Sequence, residues 1–189
     1  MEIFEYISVL TSIIIGLGIA HLLRGIAQLI QHPGRHTVYW VHLVWVAYMF
    51  FQMAFWWWWQ FNLLDLPVWQ FQNYMFLLIY AVILFLICAL LFPSDLDDYS
   101  GFEEYYFSRR KWFFGLLAMS YLIDLYDTWL KGAEHFFSLG PQYIIQVSAY
   151  VILSLAAIST RRRSFHAIYA TSAFMYQIYW AFQFWSTQG

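Results

Sequence analysis

Long apolar runs, broken by short polar segments, dominate the pattern along this chain. A hydrocarbon core about 30 Å thick is crossed by about 20 apolar residues in helical form. Six runs approach or exceed that length, so the sequence predicts six transmembrane helices. They cover residues 4–30, 38–61, 68–92, 112–130, 143–160 and 165–185.

Residues that end helices lie between these runs. Proline lacks the backbone N–H that a helix needs, and glycine admits positive φ. The punctuating residues are Pro33-Gly34, Pro67, Pro93 and Gly140-Pro141. The fourth run is the least regular, because Asp124 and Asp127 interrupt it and residues 113–123 alone are too short to cross a bilayer.

Composition excludes an ordinary soluble fold. Apolar residues make up 62% of the chain and charged residues 11%, against about half and about a quarter in soluble domains. We therefore predict an all-α, polytopic integral membrane protein with a single transmembrane domain over residues 1–189. Tryptophan and tyrosine favour bilayer interfaces, so Trp56, Trp57, Trp58 and Trp59 predict part of an aromatic belt. A net charge of −2 gives no electrostatic case for a nucleic-acid partner.

The distribution of Lys and Arg predicts the orientation. Eight of the nine basic residues fall on one side of the six-helix arrangement: Arg24, Arg35, Arg109, Arg110, Lys111, Arg161, Arg162 and Arg163. Because cytoplasmic loops carry the excess of Lys and Arg, both termini are expected outside the cytoplasm. The first run has no positive n-region or cleavage site and is expected to stay as a helix. The predicted location is the plasma membrane, the inner membrane of a bacterium.

The fourth helix carries the first candidate site. Ser120, Asp124, Asp127 and Lys131 are spaced by four, three and four residues, so all four project from one side of the helix. Asp124 lies about 10 Å deeper than Lys131 at 1.5 Å per residue. Carboxylates at such depth usually face a cavity, a partner or an ion path. The pattern predicts an outward-facing pocket that binds a proton or cation; the alternative is an interfacial helix end with Asp127 and Lys131 paired at the surface.

The first helix carries a ridge of small residues, Ser8, Ser12, Gly16 and Ala20. Small side chains let another helix approach closely in lipid. The ridge predicts a helix contact, within the chain or with a second copy in a homo-oligomer. Glu5, at the outer end of this ridge, is a further candidate for proton or ion binding, or simply an interfacial charge.

Histidines and glutamines supply the remaining polar candidates inside the spans. His21, His42 and His166 are expected at similar depth in the cytoplasmic half, where they could bind a metal or haem iron, or be ordinary interfacial residues. Gln52, Gln146 and Gln177 lie mid-span and need partners in a dry environment. We expect them to bond across helices or to line a cavity.

The third loop, residues 93–111, is acidic at its start, basic at its end and rich in aromatic residues. This composition is typical of an amphipathic segment on the cytoplasmic face, serving as a connector or as a docking surface for a protein partner.

No nucleotide-binding, zinc-protease or nucleophile-elbow motif is present in the sequence. The most specific functional hypothesis is a small proton- or cation-linked transporter or channel-like protein. The alternatives are an accessory, sensor or assembly subunit docking through loop 93–111, and an intramembrane haem or quinone redox protein.

Overall fold

The computed structural model describes residues 3–63 and 69–188, and this part of the chain is helical without strands. The predicted break at residues 64–67, including Pro67, lies outside the described residues. The helices are α1 (Ile3–Gln31), α2 (Trp40–Trp59) with a 3-10 turn at Gln60–Leu63, α3 (Phe71–Ala89), α4 (Phe102–Leu130), α5 (Ala133–Ser138), α6 (Gly140–Ser159) and α7 (Arg163–Gln188).

Among the residues that the structure describes, three helices are long and apolar enough to cross a membrane: Ile7–Gln31 within α1, α3 and α6. The other long helices, α2, α4 and α7, contain 20, 29 and 26 residues. Their mean hydropathy is lower because they carry more Trp, Tyr and polar side chains. Length alone would allow them to cross as well.

The long helices alternate in direction around α2. Tyr39, just before α2, packs on Tyr106 near the start of α4 with ring centroids 5.4 Å apart. Further along both helices, the hydroxyl groups of Tyr48 and Tyr121 are hydrogen-bonded at 2.7 Å. The two helices therefore run in the same direction. α3 runs opposite to α4, because Tyr80 bonds to Asp124 while the later Leu90 bonds to the earlier Tyr105. α6 does the same through its contacts with Asp124 and Tyr121, and α1 runs parallel to α3.

Helix α2 is the centre of the bundle and packs against α1, α3, α4 and α7. Its side chains His42, Trp45, Met49 and Met53 are all buried. Trp45 meets aromatic rings of both α4 and α7, which ties three helices together. The core is thus aromatic where most soluble cores are aliphatic.

Helix α1 packs through two glycines that differ from the predicted ridge. A Cβ at Gly18 would overlap Met53 of α2, and one at Gly25 would overlap the ring of Phe92. In contrast, a Cβ at Gly16 would have no neighbouring atom within 4 Å, and Ala20 is exposed. Ser8 and Ser12 bond to carbonyl groups of α1 itself. The close contacts within the chain are thus at Gly18 and Gly25, and a helix contact through the ridge of Ser8, Ser12, Gly16 and Ala20 stays a prediction.

Helix α4 begins at Phe102, ten residues before the predicted start at 112. Phe102, Tyr105 and Tyr106 recur at helical spacing and are buried in the bundle. The interpretation of residues 93–111 as one amphipathic segment on the membrane face is therefore wrong for its second half, which forms the first turns of α4. Glu104, Arg109 and Lys111 are exposed there, whereas Arg110 is buried together with the aromatic rings. The short helix α5 is a further element that the sequence pattern does not predict.

Three connections meet at one end of the bundle. The N–H of Phe102 donates to the carbonyl of Thr37 at 3.0 Å, joining the α1–α2 and α3–α4 connections. Arg163, at the start of α7, forms an ion pair with Glu103. We call this the basic end, since the connections and helix ends that meet there carry the clustered Lys and Arg residues. Lys131 and α5 lie at the opposite end.

Candidate functional site

A cavity of about 770 Å³ opens between α2, α4, α6 and α7, with α5 beside it. Lys131 and His135 line it near the end opposite the basic end, and Tyr121 lines it ten residues deeper along α4. At 1.5 Å per residue, that span is about 15 Å. Further lining residues are Tyr48, Gln52, Trp56, Trp58, Trp59, Asp124, Thr128, Tyr143, Gln146, Tyr150, Gln177 and Trp180.

Asp124 lines this cavity, and tyrosines from two other helices hold its carboxylate. Tyr80 of α3 donates to Oδ1 at 3.2 Å, and Tyr143 of α6 donates to Oδ2 at 2.7 Å. The hydroxyl groups of Tyr143 and Thr128 are 2.8 Å apart. With the Tyr143 hydrogen directed at the carboxylate, Thr128 donates to the Tyr143 oxygen. Each carboxylate oxygen thus accepts one protein hydrogen bond and keeps a lone pair for another donor.

Asp127 is in a different environment. Its side chain is fully buried, and its Oδ2 lies 2.5 Å from the ammonium of Lys131, whose side chain is 5% exposed. Asp127 is not among the lining residues. Asp124 therefore lines a cavity, while Asp127 is paired with Lys131 inside the protein and not at the surface, as the second interpretation expected. Binding of a proton or cation at this helix end stays a prediction.

The remaining acidic and hydroxyl candidates lie apart from the cavity. The Ser120 hydroxyl donates to the carbonyl of Leu117 at 2.8 Å, within α4. Glu5 lies on α1, which does not line the cavity. Of these four candidates in the described residues, Asp124 alone lines the cavity, and binding of a proton or ion by any of them stays a prediction. Asp124 and Asp127 are three residues apart on the helix, which turns one side chain about 60° away from the other. That rotation is enough to direct Asp124 and Asp127 to different neighbours.

Tyrosines form the floor of the cavity toward the basic end. The hydroxyl groups of Tyr48 and Tyr121 are bonded at 2.7 Å, and the ring of Tyr150 stacks on Tyr121 with centroids 4.8 Å apart. Trp45 packs edge-on against Tyr48 on the far side of this layer. Tyr169 lies there too, bonded to Ser154 at 2.8 Å. In the described part of the chain, the cavity is therefore open toward one end of the bundle and closed by aromatic rings toward the basic end.

The three mid-span glutamines line the cavity. The side-chain amides of Gln52 and Gln177 are hydrogen-bonded to each other at 2.9 Å, joining α2 to α7. Gln146 accepts a hydrogen bond from Tyr176 at 3.2 Å, joining α6 to α7. The glutamines thus both bridge helices and supply polar atoms to the cavity wall.

The three inner histidines do not assemble. His21 and His42 bond through Nε2 to the carbonyl oxygens of Phe92 and Leu91, at 3.0 and 2.6 Å. His166 uses both ring nitrogens, one toward the Tyr106 hydroxyl at 2.9 Å and the other toward a backbone carbonyl. Within residues 3–63 and 69–188, no three His, Cys, Asp or Glu side chains are grouped to hold a metal. In the described structure these three histidines therefore do not form a shared metal site, and haem binding by any of them stays a prediction.

Glu104 and His135, which lie outside the long apolar segments, have pKa values shifted by their neighbours. Hydrogen bonds from the N–H and hydroxyl of Ser100 lower the pKa of Glu104, at the start of α4. Burial, assisted by the nearby charge of Lys131, lowers the pKa of His135 beside the cavity. His135 is therefore neutral at pH 7, while Glu104 is ionised.

The first half of loop 93–111 exposes three carboxylates, Asp95, Asp97 and Asp98, around the buried side chain of Leu96. The aromatic residues that follow are largely engaged within the chain, so the surface available to a partner is mainly acidic. Docking of a protein partner at this loop stays a prediction.

Comparison with models of protein families, with curated proteins and with solved structures finds no match to this chain. The geometry alone therefore carries the functional argument. Sequence reasoning identifies Asp124 and the glutamines but misses the tyrosines that surround them. Their signal is present, since Tyr48, Tyr80, Tyr121 and Tyr150 lie well inside apolar runs and not at the ends where an aromatic belt would place them.

Proposed function

We propose that this protein crosses the membrane six times, with both termini outside, and moves a proton or another cation through an outward-facing site built on Asp124. The single observation that carries this proposal is that Asp124 lines a cavity of about 770 Å³, while two tyrosines bond its carboxylate and leave acceptor capacity on both oxygens. Carboxylates at depth in membrane proteins typically serve ion or substrate pathways.

Six crossings are supported by the outward faces of the less hydropathic helices. On α4, Trp112, Met119 and Leu122 are exposed, and on α7, Ile168 and Met175 are exposed. No charged residue occurs between residues 40 and 59, or between 164 and 188. Apolar faces of this extent are costly in water and favourable in lipid. They extend the apolar surface of α1, α3 and α6 around the bundle.

The proposed orientation is supported by the gathering of the basic connections at one end. The contact of Phe102 with Thr37 and the ion pair of Arg163 with Glu103 hold those three connections together. Lys and Arg are enriched on the cytoplasmic side of membrane proteins. The cavity, at the other end, would then face outward.

Transport can be tested with purified protein in liposomes. Charge movement is recorded on a solid-supported membrane after concentration jumps of protons, Na⁺, K⁺ and choline, with empty liposomes as the background. We expect at least one of these cations to give a current that Asp124→Asn removes. The matched control is Asp98→Asn, which removes an exposed carboxylate at the basic end and should leave the current unchanged.

Equal signals from wild type, Asp124→Asn and empty liposomes for all four cations would refute the proposed transport. A current that persists in Asp124→Asn would refute the role of the carboxylate. Size-exclusion elution of both variants at the wild-type volume shows that a lost current does not reflect lost folding.

A further inference from the structure

We infer that the cavity takes a monovalent organic cation, with an ammonium group beside Asp124 and its apolar substituents against the aromatic walls. This inference rests on the proposed site and names the class of ligand that the site fits. It depends on three independent features: the charge balance of the lining, the geometry at the carboxylate, and the size and chemistry of the walls.

The charge balance of the lining favours one positive charge. The charged lining residues in the described part of the chain are Asp124 and Lys131. Lys131 is already matched by Asp127, 2.5 Å away and outside the lining. The negative charge of Asp124 therefore has no cationic side chain of the lining left to neutralise it. A monovalent cation would neutralise the charge of Asp124, whereas an anion would be repelled by its carboxylate.

The geometry at Asp124 allows a ligand to add another hydrogen-bond donor to its carboxylate. Tyr80 and Tyr143 direct their hydroxyl hydrogens at the two carboxylate oxygens and so fix the carboxylate plane. Both are neutral donors, so they orient the charge without cancelling it. Because each oxygen retains acceptor capacity, an ammonium N–H or the polarised methyl groups of a quaternary ammonium can approach from the cavity.

The walls favour an organic cation over a bare metal ion. A volume of about 770 Å³ lies within the range of about 300–1,000 Å³ typical of small-molecule pockets. Trp56, Trp59, Trp180 and Tyr150 contribute to the lining. Aromatic faces attract ammonium groups through their quadrupole and cover attached apolar groups. Metal ions instead need several closely placed oxygen or nitrogen ligands, and the described residues contain no such group of His, Cys, Asp or Glu.

The inference can be tested by calorimetry on the full chain in dodecyl maltoside, a neutral detergent without amine groups. The probes are choline and its uncharged carbon isostere, 3,3-dimethyl-1-butanol. We expect choline to bind at least about 10-fold more tightly, the ratio that 1.4 kcal/mol of charge-dependent attraction would give. Because both probes are measured on wild-type protein, this comparison does not depend on the folding of any variant. Equal affinities, or no choline binding, would overturn the inference.

Two variants test whether Asp124 is the residue that recognises the positive charge of choline. Asp124→Asn should weaken choline binding about 10-fold and bring it near that of the isostere. Asp98→Asn should leave both affinities unchanged. Choline affinity that survives Asp124→Asn would overturn the assignment to this carboxylate.

The same ammonium chemistry could come from a free solute or from a lipid headgroup. Adding phosphatidylcholine to the micelles distinguishes them: a lowered affinity for choline identifies the headgroup as the occupant, and an unchanged affinity identifies a free solute.

The choline-binding result and the current recordings together separate this inference from the proposed transport. Choline binding without any current retains the ligand class and refutes transport, whereas proton currents through Asp124 without choline binding retain transport and refute the ligand class.

Discussion

Removing the ammonium of the buried ion pair should destabilise the protein far more than removing the pair as a whole. The perturbation is Lys131→Met, which keeps the length of the side chain and deletes its charge. Asp127, fully buried, would lose the partner at 2.5 Å, and its other oxygen already has no hydrogen-bond partner among the described residues. The variant therefore leaves a buried carboxylate without compensation.

The expected magnitude follows from the position of the pair. At 2.5 Å, the Coulomb attraction is roughly 7 kcal/mol with an effective dielectric constant of about 20. Desolvation of both ions offsets much of this gain, so the intact pair contributes little net stability. Deleting one partner nevertheless costs about 3–5 kcal/mol, because the desolvated charge remains. The double variant Asp127→Asn, Lys131→Met should recover most of that loss.

The assay is reversible unfolding in dodecyl maltoside micelles titrated with sodium dodecyl sulfate, followed by tryptophan fluorescence. Glu103→Gln is the matched control, since it breaks the ion pair between Glu103 and Arg163. The Glu103 side chain is 36% exposed and the Arg163 side chain is 75% exposed. Exposed pairs contribute about 0–1 kcal/mol. If Lys131→Met were as stable as the control, or the double variant no more stable than Lys131→Met, the argument from buried charge would be refuted.

The fold leads to three further predictions. In right-side-out membranes, a membrane-impermeant maleimide should label Glu134→Cys but not Ser94→Cys, because α5 is expected outside and the α3–α4 connection inside; the reverse pattern would contradict the proposed orientation. Gly25→Ala should cost about 1–3 kcal/mol in the unfolding titration because its Cβ overlaps an aromatic ring, while Gly16→Ala, with open space, should be neutral or stabilising; equal effects would contradict the packing. The pKa of Glu104 is lowered in the folded state, so its stabilising effect is present above the ordinary glutamate pKa of about 4.3 and disappears as pH falls through the lowered value; Glu104→Gln should remove this part of the acid dependence of unfolding, and an unchanged pH profile would contradict it.

The positions of most helices follow from the sequence. Helices α1, α2, α3, α6 and α7 begin and end within three residues of the predicted spans. Apolar length and helix-ending residues are properties of consecutive positions, so they need no knowledge of the fold. The predicted start of α4 is wrong because its charged residues resemble the end of a loop, although Phe102, Tyr105 and Tyr106 continue the buried face of the helix.

The candidate site is only half visible in the sequence. Spacing on one helix correctly draws attention to Asp124 and Asp127, but helical spacing fixes a direction only to within a broad face. Which of the two carboxylates meets the cavity depends on neighbours that are distant in the chain. Tyr80 lies 44 residues before Asp124, and Tyr143 lies 19 residues after it.

The sequence by itself determined that the chain is helical and apolar, with segments able to enter lipid, because transfer from water depends on the residues of each segment taken alone. Only the tertiary structure decided that one carboxylate lines a cavity while its neighbour is buried in an ion pair, and that three histidines at similar depth bond to separate partners. Those outcomes depend on how helices rotate and pack against one another, and such relative placement is not encoded in any single segment.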